Sequence, residues 1–273
     1  MRFLIVPIFV LLFVSCVPAP PVRPAPKPSV VEKSPTVEIP AVASTPESLT
    51  RFTSQEISGI TFEGVAFDSR NHRLIVVDQA NGPGTQFADA AAAAKAHGGV
   101  TAVNAGFFTP EGNPLGLVVS SGKISGAWNS ASSLGSGAWF EEASGKSAIT
   151  RRENLGRAAA PSMRELIQAG PMLVENGSPI TGLEATKTSA RIVILWDGGS
   201  RWWIGRGSPC SLATLGNALA HSQFAGWKPR QALNLDGGRS ADLWVSSAIA
   251  GGPFVSRPPW NRPVRNFLVL VPR

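Results

Sequence analysis

The part of the chain after residue 50 predicts a single α+β domain, with a mixed, mainly antiparallel sheet and two or three packed helices. Short apolar runs alternate there with turn-forming Gly, Pro and Asn residues, which is typical of strands joined as hairpins. Only a few segments carry helical signals. Residues 51–273 are enough for one sizeable domain with a full hydrophobic core, and no repeat of fixed period divides them.

In the first half of this domain, glycines and polar residues separate the predicted elements. The Ala-rich run 87–97 predicts a helix, and Gly98-Gly99 predicts its end. Apolar runs bounded by turn residues predict strands at 62–67, 73–78, 100–103 and 117–119.

The second half contains a predicted hairpin and a second long helix. Residues 162–168 predict a short helix or turn. The turn-forming Asp197-Gly198-Gly199 lies between two apolar runs and predicts a hairpin. Ser208-Pro209 suits the cap and first turn of a helix over 212–220. Strands are predicted at 191–196, 201–205, 232–236, 241–245 and 267–271.

The N-terminus has the layout of a lipoprotein signal peptide. A positive residue precedes an apolar run, 3–14, that is too short to span a bilayer, and Cys16 follows. We therefore expect residues 1–16 to be a signal with Cys16 as the lipidated residue, the alternatives being a plain secretory signal or an uncleaved anchor. Residues 17–50, rich in Pro, Val, Ala, Ser and Thr, predict a disordered tether to the domain at 51–273.

The composition favours an anionic partner. The 273 residues carry a formal net charge of +7, and the isoelectric point is near 10.1. Since the basic residues do not cluster with aromatic residues, we expect no nucleic-acid partner. Apart from Cys16 the only cysteine is Cys210, which we expect to be small and buried, with no disulfide. The sequence contains no Cys/His cluster with metal-ligand spacing and no EF-hand pattern, so no zinc or calcium site is predicted.

Residues 233–240 have the layout of a functional site. The apolar run that ends at Leu235 predicts a buried strand, and Asp236 leaves that strand directly before Gly237 and Gly238. Glycine permits backbone angles with φ > 0 and the close approach of a ligand. The alternative interpretation is an ordinary Asp-Gly hairpin turn, which the same residues also predict.

Five motifs occur in order along the domain. They are Val103-Asn104-Ala105-Gly106-Phe107-Phe108, Gly116-Leu117-Val118-Val119 with Gly122-Lys123, Gln168-Ala169-Gly170-Pro171-Met172-Leu173-Val174, Asn234-Leu235-Asp236-Gly237-Gly238, and Asn261-Arg262-Pro263-Val264 with Asn266. Together they resemble the phosphodiester glycosidase family, over a stretch from about Arg73 to the C-terminus. The chain departs from the family pattern at Arg239, which intervenes before Ser240, and at Ile192, which follows Arg191 in place of a Thr. These departures leave the preference for sugar and leaving group open.

The resemblance implies hydrolysis of the bond between a sugar C1 and a phosphate oxygen, which gives free sugar and a phosphomonoester. Phosphate is a good leaving group, so such an enzyme needs less general-acid help and more stabilisation of phosphate charge. Asp236 is the candidate to activate water, attack C1 or bind sugar hydroxyls. Arg191, Arg239 and Arg262 are candidates to clamp the phosphate, because a guanidinium pairs with two of its oxygens at once. The alternative for each is a solvated surface arginine.

The remaining motif residues complete the expected site. Amide side chains can orient a sugar hydroxyl or an oxyanion through a donor and an acceptor together. Glycines can turn backbone N–H groups toward an anion. We therefore expect catalysis from Asp236, Arg191 and Asn104, and substrate binding from Gln168, Gly106, Phe107, Gly170, Gly237, Gly238, Arg239, Ser240 and Arg262.

A second carboxylate is expected if the two-carboxylate scheme of glycosidases applies. Glu184, Asp242 and Glu175 are options, and the sequence singles out none of them. No cofactor is evident, and a divalent ion that bridges Asp236 and the phosphate stays open.

These expectations describe an exported hydrolase that is lipid-anchored to the cell envelope, faces the periplasm and cleaves a glycosyl phosphodiester of a glycopolymer or glycolipid. We expect a monomer that meets the membrane through its lipid anchor. Two alternatives stay open: a non-catalytic carbohydrate- or cell-wall-binding module, and a structural envelope protein recruited by its basic surface. Catalysis requires Asp236 and the arginines to converge on one pocket, a binding module tolerates them apart, and a structural protein needs no pocket.

Overall fold

The computed structural model describes residues 50–273; the predicted signal peptide, Cys16 and almost all of the predicted tether lie outside the described residues. Strands dominate the described part. In chain order they are β1 Arg51–Ile57, β2 Ile60–Asp68, β3 His72–Asp78, β4 Thr101–Asn104, β5 Val118–Ser120, β6 Lys123–Ser125, β7 Gly137–Glu142, β8 Ser147–Arg151, β9 Met163–Ala169, β10 Met172–Glu175, β11 Ser178–Pro179, β12 Ser189–Trp196, β13 Arg201–Cys210, β14 Gln231–Leu235, β15 Leu243–Val245, β16 Phe254–Ser256 and β17 Asn266–Pro272.

Helices are few and short. The α-helices are α1 Ala90–Ala96, α2 Arg152–Leu155 and α3 Leu212–His221. Single 3₁₀ turns or short 3₁₀ helices form at Ser133–Gly135, Arg157–Ser162 and Gly238–Ser240. No helix among residues 50–273 is long and apolar enough to cross a membrane.

The strands form three sheets, and every pairing between the named strands is antiparallel. The seven-stranded sheet has the order β1-β2-β13-β12-β14-β10-β11, and the five-stranded sheets have the orders β16-β15-β4-β17-β3 and β6-β5-β9-β7-β8. This arrangement confirms the predicted α+β class with a mainly antiparallel sheet. The predicted hairpin at Asp197-Gly198-Gly199 is also confirmed, because it joins β12 to β13 with Trp196 opposite Trp202.

The central apolar core contains residues from all three sheets. The opposite face of each sheet is also buried, in a smaller apolar cluster. Along β12, Ile192 and Ile194 belong to the central cluster, whereas Val193 and Leu195 belong to the cluster under α3. The second sheet packs its outer face against α1, and the third packs its outer face against the 3₁₀ helix 157–162. Each fully buried side chain of this kind contributes about 2 kcal/mol through burial of apolar surface.

α1 and α3 each begin directly after a residue whose side chain accepts a hydrogen bond from an N–H group of the first turn. Asp89 accepts a hydrogen bond from Ala92 N at 2.8 Å, so α1 begins later than the Ala-rich run predicted. Ser211 accepts one from Thr214 N at 3.1 Å and caps α3. The predicted cap at Ser208-Pro209 was wrong, since both residues belong to β13.

The predicted short helix or turn at residues 162–168 was also wrong. This segment is β9, which lies between β5 and β7 in the third sheet. Leu166 and Ile167 are completely buried on opposite faces, in two different apolar clusters. Packing on both sides therefore overrides the helix-favouring composition of the segment. Cys210 is buried at the end of β13, as predicted.

Candidate active site

Strand pairing brings Asp236 and Arg191 close together, at the same end of two neighbouring strands in the seven-stranded sheet. β14 lies between β12 and β10, and Leu235 is paired with Ile192 of β12. Asp236 follows its strand directly, and Arg191 lies one residue before Ile192 in the antiparallel neighbour. The carboxylate and the guanidinium therefore start from adjacent backbone positions.

The chain does not fold back as a hairpin after Asp236. β14 belongs to the seven-stranded sheet and β15 belongs to a different sheet, so Asp236-Gly237 joins two sheets. A Cβ atom on Gly237 would lie 2.4 Å from Ala190 O, so only glycine allows this approach to β12. Gly238 has φ +60°, and the 3₁₀ turn that it begins brings Ser240 back beneath the carboxylate. The interpretation as an Asp-Gly hairpin turn was therefore wrong.

The backbone of Asp236 is fixed by the end of β4, in the second sheet. Asp236 N donates to Ala105 O at 2.8 Å, and Asn104 Nδ2 donates to Asp236 O at 2.6 Å. The other end of the Asn104 amide, Oδ1, accepts from Asp242 N at 2.9 Å. Asn104 is 1% exposed, and both ends of its side-chain amide are hydrogen-bonded to backbone groups. It therefore holds the backbone of Asp236 in place from the buried side of the site.

Burial gives the Asp236 carboxyl group a high affinity for its proton. The residue is 7% exposed, and loss of solvent raises its pKa to about 6. A hydrogen bond from Ser240, the charge of Arg262 and the N–H of Gly237 act in the opposite direction, in that order. The Oδ2 atom accepts no hydrogen bond within residues 50–273. An unpaired buried oxygen of this kind is available to a substrate or a water molecule.

A cavity of about 210 Å³ lies in front of this carboxylate. Its lining includes Phe107, Leu134, Arg191, Asn234, Asp236 and Gly237. Two backbone carbonyls orient the guanidinium of Arg191, since Nε donates to Cys210 O and Nη2 donates to Lys187 O, both at 3.0 Å. The cavity thus combines one acid, one fixed cation and an aromatic wall.

Arg262 places a second positive charge beside the acid. Its Nε donates to Ser240 Oγ at 3.3 Å, and its Cζ lies 4.9 Å from the ring centroid of Phe108. Arg262 is exposed to solvent. Since Ser240 also hydrogen-bonds Asp236, the three side chains form a chain from solvent to the buried carboxyl group.

Gln168 lies away from this cavity, although its amide was expected to bind substrate. It is 1% exposed, and its Oε1 accepts from Leu117 N at 3.0 Å and from Asn129 N at 2.9 Å. Its Nε2 donates to Asn129 O at 2.8 Å and Gly135 O at 2.9 Å. Three of these four bonds, those to Asn129 and Gly135, tie the 126–137 segment to β9, and this segment supplies Leu134 to the cavity.

Gly106 and Gly170 have similar supporting roles. Gly106 N donates to Asn266 Oδ1 at 2.6 Å, so this N–H already has a partner. Gly170 O accepts from Asn234 Nδ2 at 2.8 Å, and a Cβ atom on Gly170 would lie 2.1 Å from Ser133 O. Both glycines allow close packing behind the cavity.

Asn234 is a site residue that the sequence reasoning did not select. It is 3% exposed, lines the cavity, and its Oδ1 atom is buried without a partner among the described residues. Asn234 and Asp236 are two residues apart at the end of one strand, so their side chains point to the same face. Two polar residues at this spacing, in a strand that is otherwise apolar, were the available signal.

Gly238 and Arg239 face a second, larger cavity of about 490 Å³ on the other side of the Gly-Gly turn. Ser189 lines both cavities, so the two are neighbours. The predicted phosphate-clamp residues are therefore divided, with Arg191 in the smaller cavity, Arg239 in the larger one and Arg262 beside Ser240.

None of the three candidates for a second carboxylate lines the cavity of Asp236. Asp242 is 3% exposed and accepts from Ala90 N at 2.9 Å, at the start of α1. Glu175 pairs with Arg151 at 2.8 Å, and Glu184 accepts three backbone or hydroxyl donors in its own loop. Within residues 50–273, no group of three or more His, Cys, Asp or Glu side chains is placed to hold a metal ion.

Solved structures with the same fold include proteins from animals and bacteria. The catalytic domain of zebrafish N-acetylglucosamine-1-phosphodiester alpha-N-acetylglucosaminidase, auto-inhibited by its pro-peptide, matches with a TM-score of 0.55 and 17% identity, covering 82% of each chain. A hypothetical protein from Synechocystis matches with a TM-score of 0.54 and 16% identity, covering 82% of this chain and 62% of that one. A Burkholderia pseudomallei protein described as exported matches with a TM-score of 0.53 and 13% identity, covering 78% of this chain and 75% of that one.

At these identities the structural matches show the fold alone. No curated protein sequence matches the chain. The family model for phosphodiester glycosidase matches residues 97–271, more than half of the chain, and this range contains every residue of the cavity in front of Asp236. The chain therefore belongs to the phosphodiester glycosidase family.

Proposed function

We propose that this protein hydrolyses the glycosidic bond of a sugar-1-phosphodiester, with Asp236 as its general base. The observation that carries the proposal is the placement of a buried acid, whose Oδ2 atom is unpaired, in one small cavity with the oriented guanidinium of Arg191. The family supports a glycosidase-like activity of this class. The zebrafish relative is a phosphodiester glycosidase by name, which agrees with the same class of substrate.

In the proposed reaction, water attacks the sugar C1 while the bond from C1 to the phosphate oxygen breaks. The bonding electrons leave with the phosphate, which becomes a phosphomonoester, and the carboxylate of Asp236 takes a proton from the water. A pKa of about 6 keeps most of the carboxyl group ionised at neutral pH and still basic enough to accept that proton. The phosphate leaves as a stable anion, so a single carboxylate in the cavity suffices for this scheme.

The cationic side chains stabilise the charge that develops on the leaving phosphate. Arg191 does so from within the cavity, and Arg262 does so from beside Ser240. Asn234, with its free Oδ1, can accept a hydrogen bond from a sugar hydroxyl. Asn104, Gln168, Gly106 and Gly170 hold these groups in place from behind, and in this proposal they do not contact substrate.

The test is hydrolysis of a panel of sugar-1-phosphodiesters by the full chain in detergent, with free reducing sugar and phosphomonoester both measured. Asp236→Asn keeps the shape of the side chain and removes the base, so we expect the rate to fall at least a hundredfold. Asp197→Asn is the matched control, because Asp197 also precedes Gly-Gly but lies in the β12–β13 hairpin turn outside the cavity. Sugar binding without release of either product would favour the carbohydrate-binding module instead.

We further propose that the protein works in the cell envelope, exported and anchored through a lipid on Cys16. The N-terminal sequence supports this proposal, and the exported description of the Burkholderia protein agrees with it. Fractionation of expressing cells tests it, because Cys16→Ala would move the chain from the membrane fraction to the soluble periplasmic fraction. An unchanged distribution would count against the lipid anchor.

A further inference from the structure

We propose that the end of the domain opposite the cavity of Asp236 is a docking surface for an anionic lipid membrane. The surface is called here the basic end, and its arginines are Arg73, Arg164, Arg201, Arg230 and Arg273. This interaction goes beyond the proposed hydrolysis and does not depend on it. The proposed lipid on Cys16 would bring the basic end to a membrane, and docking would then fix the direction in which the cavity faces.

Three arginines of the basic end converge on one buried carboxylate. Glu141 is completely buried, and Arg164 Nη2 donates to its Oε1 atom. Arg73 Nη1 lies 3.9 Å from the same oxygen, and Arg273 Nη2 lies 3.4 Å from Oε2. The three arginine side chains are 31–37% exposed. Glu141 can neutralise only one of the three charges, so the guanidinium groups present excess positive charge to solvent.

Backbone contacts place the β12–β13 hairpin turn beside these three arginines. Arg273 Nε donates to Ser69 O at 2.7 Å, and Ser69 N donates to Ser200 O at 2.8 Å. Arg201 follows Ser200 and begins β13, and its side chain is 52% exposed. The hairpin therefore adds a fourth arginine to the same end of the molecule.

Arg230 lies on the other side of this hairpin. Its N–H group donates to Trp196 O at 2.8 Å, and a Cβ atom on Gly198 would lie 2.7 Å from its Cδ atom. Arg230 is exposed, and within residues 50–273 its side chain forms no hydrogen bond or ion pair. The guanidinium is therefore available to an external anion.

The arginines of the basic end outnumber the carboxylates that pair with them. Arg201 pairs with Asp197 at 2.7 Å, so five guanidinium groups share Asp197 and Glu141. Other charges nearby come in opposite pairs: Asp68 binds Arg70 at 2.7 Å, and the β7–β8 turn contains Glu142 and Lys146. An excess of positive charge attracts an anionic membrane, and guanidinium groups bind the phosphates of lipid headgroups.

The predicted tether joins the domain at the basic end. Thr50 is the first described residue, and its Oγ1 atom lies 3.1 Å from His72 Nδ1. His72 is paired with Pro272, which directly precedes Arg273. A lipid anchor at the far end of the tether therefore keeps this end of the domain, and not the cavity, next to the membrane.

The cavity of Asp236 lies at the other end of the same strands. β14 begins at Gln231, directly after Arg230, and Asp236 follows its last residue. Five residues of an antiparallel strand span about 17 Å. Docking through the basic end thus leaves the cavity open on the side away from the lipid headgroups.

Energy transfer from the protein to the membrane tests this orientation. The full chain is reconstituted through its N-terminus into vesicles that contain an acceptor-labelled lipid, with the donor dye on Asn71→Cys or Asn113→Cys. Both asparagines are exposed, Asn71 directly before β3 at the basic end and Asn113 in the loop that follows β4. Cys210 is buried, and the parent chain labelled in the same way gives the background. We expect more transfer from position 71 than from position 113 when the vesicles contain phosphatidylglycerol.

The difference between the two positions should disappear in pure phosphatidylcholine and at high salt, because both remove the electrostatic attraction. Arg73→Gln combined with Arg230→Gln should lower the ratio of docked to undocked protein at least tenfold. Arg157→Gln combined with Lys187→Gln is the matched control, since it removes two exposed positive charges outside the basic end. Circular dichroism would show that both double variants stay folded.

Several results would overturn the docking surface. They are equal transfer from the two positions in phosphatidylglycerol, more transfer from position 113, an equal effect of the two double variants, and a chain that floats with neither type of vesicle. Loss of docking in inorganic phosphate, but not in chloride of the same ionic strength, would instead assign the arginines to a soluble phosphate. Hydrolysis of a soluble substrate is measured separately, so failure of the proposed function leaves this test unchanged.

Discussion

The protonation of one side chain, Asp236, sets what the small cavity can do. Burial raises its pKa, and the hydrogen bond from Ser240 and the charge of Arg262 limit that rise. The carboxylate form is the one that can accept a proton from water, so acid inhibits the proposed reaction. Arg262 reaches the acid from the exposed side and can be changed without opening the core.

We predict that kcat/KM of the free protein rises with pH up to about 6 and then levels off. Well below that pH it should fall about tenfold per pH unit, because only the ionised fraction of Asp236 is active. Arg262→Gln removes a charge that lowers the pKa of Asp236, so the acid limb should move to higher pH. A pH–rate profile of the two proteins measures this shift. An identical acid limb in both would show that the charge of Arg262 does not lower the pKa of Asp236.

The residues of the site differed in how far the sequence could place them. Asp236 was predicted from the motif at the end of its strand, and Arg191 was predicted from the position of an arginine in the family pattern. The interior positions of Asn104 and Gln168 were not predictable, because their hydrogen-bond partners come from distant parts of the chain. An amide in a motif looks the same in the sequence whether it binds substrate or backbone.

At the level of elements, the 126–137 segment depends on one side chain of β9. Gln168 hydrogen-bonds backbone groups of Asn129 and Gly135 in this segment as well as Leu117 N, directly before β5. If the amide is removed, several buried backbone groups lose their partners together. The segment carries Leu134 into the wall of the cavity, so its order and the shape of the cavity are linked.

We therefore predict that Gln168→Ala lowers the free energy of unfolding by about 3 kcal/mol. It should also raise KM more than it lowers kcat, since the wall moves while Asp236 stays in place. Urea unfolding and steady-state kinetics measure the two effects. Gln55→Ala is a suitable control, because Gln55 donates a single bond to Gln223 O near the surface and should change stability by less than about 0.5 kcal/mol. A kcat effect without a KM effect would contradict the supporting role.

Elements with clear periodicity were predictable, and those whose identity depends on neighbours were not. The strand 191–196 and the final strand 267–271 alternate between two buried faces, and both appear close to their predicted bounds. β9 has the residues Met163, Arg164 and Glu165 at its start, which favour helices in isolation. It becomes a strand because β5 and β7 provide hydrogen bonds on both sides.

Among residues 50–273, several buried carboxyl groups have pKa values raised by burial and make stability depend on pH, and the largest rises are at Glu165 and Asp236. Burial, with a small contribution from the charge of Glu141, raises the pKa of Glu165 to about 7 against the lowering effects of the Val76 and Ser121 N–H groups and Arg73. Asp236 has a pKa of about 6. Both groups keep a proton in the folded state at pH values where the unfolded chain has lost it. The free energy of unfolding should therefore fall as the pH rises from about 4 to 7.

We predict that Glu165→Gln removes much of this dependence. The amide oxygen of Gln can still accept from Val76 N, now 2.9 Å from Oε2, and no charge remains to be buried. The variant should be more stable than the parent by about 2–3 kcal/mol at pH 8 and nearly equal at pH 4. Urea unfolding at both pH values tests this, with Glu56→Gln on the exposed edge strand as the control. Equal stability of variant and parent at pH 8 would exclude Glu165 as the cause.

The bonds that join Asp236 to the end of β4 have a consequence for motion. The N–H and C=O groups of Asp236 are both held by residues 104 and 105, which continue a strand of another sheet. Local fraying of surface loops leaves this junction closed, and only separation of two sheets across the shared core opens it. We therefore expect the Asp236 N–H to be among the slowest-exchanging amides of the fold, which would keep the reacting group fixed while surface loops open.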